Sequence, residues 1–351
     1  MTGTPERGRP DEWRISVIIP TRDRPEELRL CLEGFAGQTV PREQFEVIVV
    51  DDGSATDITP VVSAFAPRIN LTVERRAHAG AAAAKNAGIE RARAPLLVLY
   101  DDDLKPLPDL LAYCLQFHQR HPGEADVALL YFVADPSIAG APAVRWAFDR
   151  MYAFPRGMGC YDWRAFWGGA VTCKGRLFRH GLHNPDYRSV EDAELGFRLS
   201  RLVDLRVYFE PRAMGTMVRR ISFGQVFGRQ YARSYFHYAL SRDHPAAWDF
   251  THAPYDRPEE YLIRDPETLR TLLASAGGLE RTLTPEDLDA DSARFRLVCA
   301  LWSRAELHAM ASGWLDARAG RALHPPEITS GPLVAPPRRP ETVDFAEDSK
   351  R

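Results

Sequence analysis

Three consecutive aspartates, Asp101, Asp102 and Asp103, follow directly on the apolar run Leu96 to Tyr100 (LLVLY). Carboxylates crowded at the end of a buried strand repel one another and lose hydration, a cost that a cation or hydrogen-bond donors must offset. Mg2+ and Mn2+ take oxygen ligands, typically one or two carboxylates plus phosphate oxygens, so Asp103, with Asp101, could bridge such an ion to a diphosphate. The same triple could instead open a loop and cap the next helix. A second acidic point, Asp51-Asp52-Gly53-Ser54, follows FEVIVV, and a third, Glu191-Asp192, heads a helical pattern running to Arg201. A carboxylate at a helix start is stabilised as the anion, either as a simple cap or as a general base that takes a proton from an attacking hydroxyl. Lys85 is the one cation in GAAAAKNAG, a segment that either packs as an Ala-rich helix or carries its ammonium to a phosphate or a carboxylate.

These residues need elements that bring them together. Ile15 to Ile19, Phe45 to Val50, Leu71 to Val73, Leu96 to Tyr100, Val127 to Val133 and Leu205 to Phe209 are short β-branched or apolar runs, read as strands. Between the early ones, Pro25 to Phe35, Thr56 to Phe65, Gly80 to Arg93 and Pro108 to Arg120 repeat their apolar positions at helical spacing. Strand then helix, repeated, predicts an α/β fold with a Rossmann-like, mainly parallel sheet flanked by helices. In such sheets ligands collect beyond the carboxyl ends of the strands, which is where the acidic clusters and Thr21-Arg22-Asp23-Arg24 fall.

The stretch from Ala134 to Cys160 keeps no steady period and reads as a variable loop region. Beyond Pro211 the pattern turns helical: Phe223, Val226, Phe227, Tyr231, Tyr235 and Tyr238 trace one face, and Phe295, Val298, Cys299, Trp302 and Ala305 another. The expected organisation is a flexible segment over 1–12, a catalytic unit over 13–215, a C-terminal helical extension over 216–322 and a Pro-rich mobile tail over 323–351.

Composition is that of an ordinary folded protein, with 351 residues, 45% hydrophobic and 26% charged. A formal net charge of -3 gives no global attraction to nucleic acid, which is not expected as a partner. Five cysteines without CxxC spacing read as reduced core thiols, and no apolar stretch approaches the roughly 20 residues of a bilayer span. The expectation is a cytoplasmic protein. Between Glu210 and Asp243 there is no acidic residue, whereas Arg212, Arg219, Arg220, Arg229, Arg233 and Arg242 are basic. That helix could meet a diphosphate, an anionic lipid-linked acceptor or the inner face of a membrane peripherally, or could present an ordinary solvated face.

Together the segments ISVIIPTRDRPEELRLCLEGFAGQT, FEVIVVDDGSATD, AHAGAAAAKNAG, LLVLYDDDLKP and GLHNPDYRSVEDAELGFRLSR resemble, in order, the motifs of the family-2 inverting glycosyltransferases of GT-A fold. The resemblance covers about Ile15 to Arg201 and departs from the family pattern at Lys85, where Arg is usual. It implies that Pro20, Thr21, Arg22 and Asp52 help hold the nucleotide of a nucleotide-sugar donor, UDP-linked by preference. It further implies that Lys85 and Asp102 belong to the same donor site, that Asp101 and Asp103 bind Mg2+ or Mn2+ and the diphosphate, and that Trp167, Gly168 and Gly169 line the donor–acceptor junction. Asp192 would be the base, with Glu191 the second acidic candidate, and the acceptor an unidentified hydroxyl in a glycan, a glycolipid or a metabolite. Many members carry a His after the last strand; Arg212 to Arg220 holds none, which leaves Arg219 or Arg220 to neutralise phosphate. Two alternatives compete. A nucleotidyltransferase or dinucleotide-dependent oxidoreductase would need glycines in the first strand-to-helix turn, and TRDRPEE has none. A catalytically silent nucleotide-sugar-binding module would be expected to have lost its clustered carboxylates, which are present.

Overall fold

The computed structural model describes residues 13–135, 138, 141–151, 159–250, 255–288 and 292–324, so the expected N-terminal segment and nearly all of the expected tail lie outside the described residues. In chain order, β1 (Ile15–Thr21), α1 (Pro25–Ala36), β2 (Phe45–Asp51), α2 (Thr59–Phe65), β3 (Leu71–Arg75), α3 (Ala81–Arg91) and β4 (Leu96–Tyr100) form the alternating first half. β1 and β2 are buried along almost their whole length, as strands covered on both faces must be. The stripe Leu28, Cys31, Leu32 and Phe35, spaced by three and four, is the buried face of α1, where Phe35 meets Tyr100 of β4 edge-on at 5.1 Å.

The short β5 (Leu104–Pro106) leads into α4 (Leu110–Arg120), β6 (Asp126–Ala134), α5 (Pro142–Met151), β7 (Ala170–Lys174), α6 (Glu191–Leu202) and β8 (Arg206–Met217). The described strands make one eight-stranded sheet in the order β3-β2-β1-β4-β7-β6-β8-β5. β3, β2, β1 and β4 run parallel, β7 is antiparallel to both β4 and β6, and β5 is antiparallel to β8. The α/β sheet flanked by helices that the sequence predicts is the observed architecture.

Besides the unforeseen short strands β5 and β7, three details differ from the sequence reading. α5 lies inside the stretch read as loop, although its Ala143, Val144 and Trp146 are buried. β8 continues beyond Pro211, where a turn to helix was expected. Its pairing with β6 jumps there from Leu130 opposite Glu210 to Tyr131 opposite Met214. Proline has no N–H for the ladder, so the strand bulges at Pro211 and resumes rather than ending. Finally, the cysteines are all free, but only Cys31, Cys114 and Cys173 are core residues; Cys299 is half-buried and Cys160 exposed.

α7 (Phe223–Asp243), the short α8 (Pro258–Tyr261), α9 (Pro266–Glu280) and α10 (Ala293–Arg318) complete the described chain. α7 starts on a reciprocal cap between Ser222 and Gln225. Phe223 stacks on Trp302 of α10 at 5.1 Å, and Trp146 of α5 meets the same indole edge-on at 5.7 Å, so the helical extension shares the core of the sheet domain. At the far end of α7, Asp243 accepts from Tyr187 Oη at 2.8 Å, and His244 lies 3.3 Å from Glu194 of α6. The extension therefore braces the loop and helix that carry Glu191 and Asp192. No helix among the described residues is long and apolar enough to cross a membrane.

Candidate active site

Topology alone gathers the chemistry. β2, β1 and β4 are parallel neighbours, so Asp51-Asp52, Thr21 and Asp101 leave the sheet at one edge. Because β7 runs antiparallel to β4, with Ala170 opposite Tyr100, it begins where β4 ends and delivers Gly168 and Gly169 to the same edge. The backbone closes the junction: the Asp101 N–H donates to the Gly169 carbonyl at 3.0 Å.

The three consecutive aspartates point to different partners. Asp102 is buried, accepting from Thr21 Oγ1 at 2.7 Å and from Arg24 at 2.7 Å. Asp103 lies 3.4 Å from the same Arg24 guanidinium and 3.7 Å from that of Arg219. Arg219 reaches it because Val218 N–H donates to the Asp103 carbonyl at 2.9 Å, seating the end of β8 against the acidic turn. Asp101 turns the other way, towards Gly169 and the charge of Lys85. Burial, against the relief given by Lys85, pushes the Asp101 carboxyl up to about 6, and burial, against the relief given by Arg24, pushes Asp102 up to about 7.

Gly169 has no room for a side chain, since a Cβ there would fall 2.1 Å from an Asp101 carboxylate oxygen. Gly169→Ala is accordingly expected to displace Asp101 and to lower stability by about 1 to 3 kcal/mol, the usual range for overpacking, read as a lowered denaturant midpoint at unchanged slope.

Asp52 is turned into the fold rather than left open. It accepts from the backbone N–H groups of Ala79 and Gly80, each at 2.9 Å, and from His78 Nδ1 at 2.7 Å. Arg22 donates to His78 Nε2 at 2.7 Å, and since a guanidinium can only donate, the imidazole proton sits on Nδ1 and is given to Asp52. Pro20 is half-buried beside this turn, and Arg22 is exposed.

On the opposite wall, Lys85 from α3 is 4% exposed and its ammonium lies 2.8 Å from Glu191. Burial would lower the lysine's pKa, but the charges of Glu191, Asp101 and Asp192 outweigh it and hold the ammonium protonated. The same pair holds Glu191 below its ordinary value against the pull of its own burial. Asp192 moves in the other direction: burial and the charge of Glu191 raise it, although N–H groups of Ala193 and Gly168, at 2.8 and 3.1 Å, bond its oxygens. Val190, just before them, is held at φ 58°, a left-handed conformation costly for a β-branched residue, at the point where the chain turns into α6. Trp167 is half-buried and donates its indole N–H to the Arg164 carbonyl at 3.1 Å, beside Gly168.

The sequence-predicted residues thus gather in two groups, Thr21 with Asp102 and Asp103, and Lys85 with Asp101, Gly168, Gly169, Glu191 and Asp192; Asp52 and Arg22 sit at the neighbouring turn. Two participants were not singled out from sequence. Arg24 lies within the quoted TRDR and its role shows only in the fold. His183 lies within the quoted GLHNPDYRSVEDAELGFRLSR, where the acidic pair drew the attention; it is 2% exposed beside Lys85.

For a divalent cation, the described residues offer no group of three or more His, Cys, Asp or Glu side chains placed to hold one. Asp101 and Asp103 turn towards different partners, so a Mg2+ or Mn2+ ion would rest on one or two carboxylate oxygens, with phosphate oxygens and water completing its shell, as Mg2+ is ordinarily bound at phosphate sites.

A family model described as Glycosyl transferase family 2 matches residues 16–181, the stretch from β1 through the turn after β7. Residues 16–181 belong to glycosyl transferase family 2. The chain is 33% identical over 95 residues to the glycosyltransferase AglE of Haloferax volcanii, covering 26% of this chain and 31% of that protein. It is 35% identical over 117 residues to the validoxylamine A glucosyltransferase of Streptomyces hygroscopicus, covering 33% of this chain and 28% of that one. The match therefore spans less than a third of either relative's length. Among solved structures, the mannosyltransferase PcManGT of Pyrobaculum calidifontis, in complex with GDP-Man and Mn2+, superposes with a TM-score of 0.55 at 19% identity over 89% of this chain and 91% of that one. S. aureus TarS residues 1–349, in complex with UDP, superposes at 0.53 with 14% identity over 88% and 92%. These likenesses extend the shared fold into the C-terminal helices, well past the family 2 segment.

Proposed function

We propose that the chain transfers a sugar from a nucleoside diphosphate donor, UDP-linked by preference, to an acceptor hydroxyl, with inversion at the anomeric carbon. One observation carries this reading: a half-buried carboxylate of raised pKa, Asp192, stands beside Gly168 and Lys85, next to the acidic turn Asp101–Asp103 of a family 2 segment. The acceptor oxygen attacks the anomeric carbon, its proton passes to Asp192, and the bond from that carbon to the phosphate oxygen breaks as the nucleoside diphosphate leaves. A single displacement needs no covalent bond to the protein. Asp192 is held for the task by Gly168 N–H, and its raised pKa makes it a stronger base than an ordinary carboxylate. Lys85 keeps Glu191 ionised, and that second charge strengthens Asp192 as a base.

Departure of the diphosphate needs positive charge. Arg24 and Arg219 bring two guanidiniums to Asp103, and Arg229 of α7 stands exposed near the same carboxylate and Arg219. Arginine binds phosphate bidentately, so this group supplies what a His after the last strand would otherwise give. A Mg2+ or Mn2+ ion held by Asp103, with Asp101, would add Lewis-acid stabilisation of the leaving oxygens. Thr21, Pro20, Arg22 and Asp52 form the nucleotide side of the site, and Asp102 positions Thr21 and Arg24. Trp167, Gly168 and Gly169 line the junction where donor meets acceptor, and the stretch Ala134 to Phe166 with the helices after Pro211 shapes acceptor choice. Such a donor places the protein in the cytoplasm, with α7 available for peripheral contact with an anionic acceptor or membrane face.

Release of UDP or GDP from a panel of nucleotide sugars, followed with Mn2+ and with EDTA, tests this directly. EDTA is expected to suppress release and added Mn2+ to restore it, and Asp103→Asn to lower the Mn2+-supported rate by about tenfold or more. A donor that binds without ever releasing its nucleotide would instead identify a silent binding module.

A further inference from the structure

Among the described residues, His183 is a buried polar group beside the site that the proposed chemistry leaves unused. Its side chain is 2% exposed, and neither Nδ1 nor Nε2 makes a hydrogen bond of good geometry, although the backbone of Glu191 lies near enough to act on the ring. Each bond left unmade in a buried site costs about 1 to 3 kcal/mol, and native interiors tolerate few such groups without a reason. The ring is also fixed in place. Asn86 of α3 donates to the His183 carbonyl at 2.8 Å and accepts from its N–H at 2.9 Å, so the loop cannot swing away to find other partners.

Its surroundings are those of the reaction centre. A side chain at Gly168 would begin 3.3 Å from His183 Cε1, 3.1 Å from Lys85 Nζ and 3.1 Å from Asp192 Cβ, which places the imidazole within one residue's width of the base. Burial and the adjacent Lys85 charge keep the ring neutral, with a pKa lowered to about 3. A neutral imidazole offers one donor and one acceptor, the complement of a hydroxyl or of two neighbouring hydroxyls; a diphosphate, which only accepts, would leave one nitrogen unmatched.

Resting on the donor reading above, we infer that His183 recognises the donor sugar, its ring nitrogens exchanging hydrogen bonds with sugar hydroxyls brought into the cleft by the nucleotide sugar. The missing partners then arrive with the substrate, and the nucleotide half of the donor does not need them. A site built to pair a hydroxyl discriminates strongly against ligands without it, because the buried group is otherwise left unpaired.

Calorimetric titration with UDP, UDP-glucose, UDP-N-acetylglucosamine, GDP and GDP-mannose, each with Mn2+, distinguishes the cases. For the sugar nucleotide that wild type prefers, His183→Leu is expected to raise the ratio of its Kd to that of the bare nucleotide by about tenfold, while nucleotide affinity stays within about twofold. His183→Gln, which keeps a donor and an acceptor, is expected to restore most of the ratio. Retained nucleotide binding and an unchanged Tm report that the variants are folded. An unchanged ratio in His183→Leu, or equal loss of both ligands, would overturn the assignment of His183 and leave the donor reading standing. Failure of wild type to bind any of the five would overturn the donor reading and this inference with it.

Discussion

Asp192→Asn is expected to slow nucleotide release from the preferred donor by about 10² to 10⁴-fold with little change in donor affinity, the usual worth of a positioned general base. The amide keeps the size of the carboxylate and one oxygen for the Gly168 N–H, so the fold around α6 should survive. What it loses is the ability to take a proton. Steady-state rates against donor concentration separate the two effects, because removing a group that acts only as the reaction proceeds lowers kcat and kcat/KM together. Glu191→Gln is a useful contrast. Its carboxylate is committed to Lys85 at 2.8 Å, so its loss acts on Asp192 indirectly, by removing the neighbouring charge that raises the Asp192 pKa. The acid limb of the rate profile should then move to lower pH in Glu191→Gln, whereas in Asp192→Asn the limb should vanish. Equal kcat for wild type and Asp192→Asn across the profile would falsify the role given to Asp192.

The difference between those two carboxylates was only half visible in the sequence. Adjacency at a helix start marked both as candidates, but which one is paired depends on Lys85, more than a hundred residues earlier. Strands betrayed themselves where they were apolar almost throughout, as in β1, β2 and β4, because burial on both faces demands it. β5 and β7 escaped notice: β5 has only three residues, and β7, whose five include Thr172 and Lys174, owes its place to β4 and β6 on either side. β8 was cut short at Pro211 because proline ordinarily ends a strand, while here a bulge absorbs it. The aspartate triple was read as one cluster, yet the fold sends Asp101 towards Lys85 and the other two towards arginines. Consecutive side chains diverge, so a run of like residues in sequence is seldom a cage in space. Arg229 and Arg233 read alike as a solvated helix face; both are exposed, but Arg229 has Arg219 and Asp103 as charged neighbours.

Lys85→Met should be the most destabilising single change in the site. The lysine is nearly inaccessible and faces three carboxylates, Glu191 by direct contact and Asp101 and Asp192 through their charge. Methionine fills similar volume, so packing is roughly conserved and the loss is electrostatic. Breaking a buried pair by deleting one partner typically costs about 3 to 5 kcal/mol, since the remaining charge keeps its desolvation penalty without its compensation. The pH dependence carries the signature. Asp101, at about 6, and Asp192 already have raised pKa values in the folded state, and loss of Lys85 raises them further and lifts Glu191 as well. A carboxyl whose folded pKa exceeds its unfolded value favours the fold at low pH and opposes it as pH rises through the folded pKa. The deficit of Lys85→Met relative to wild type should therefore be largest above about pH 7 and shrink as pH falls towards 5, where the stranded carboxylates take up protons. Thermal or denaturant unfolding of both proteins across that range measures it. A deficit that stayed constant with pH would mean that packing, not the pairing of Lys85 with Glu191, holds this wall of the cleft.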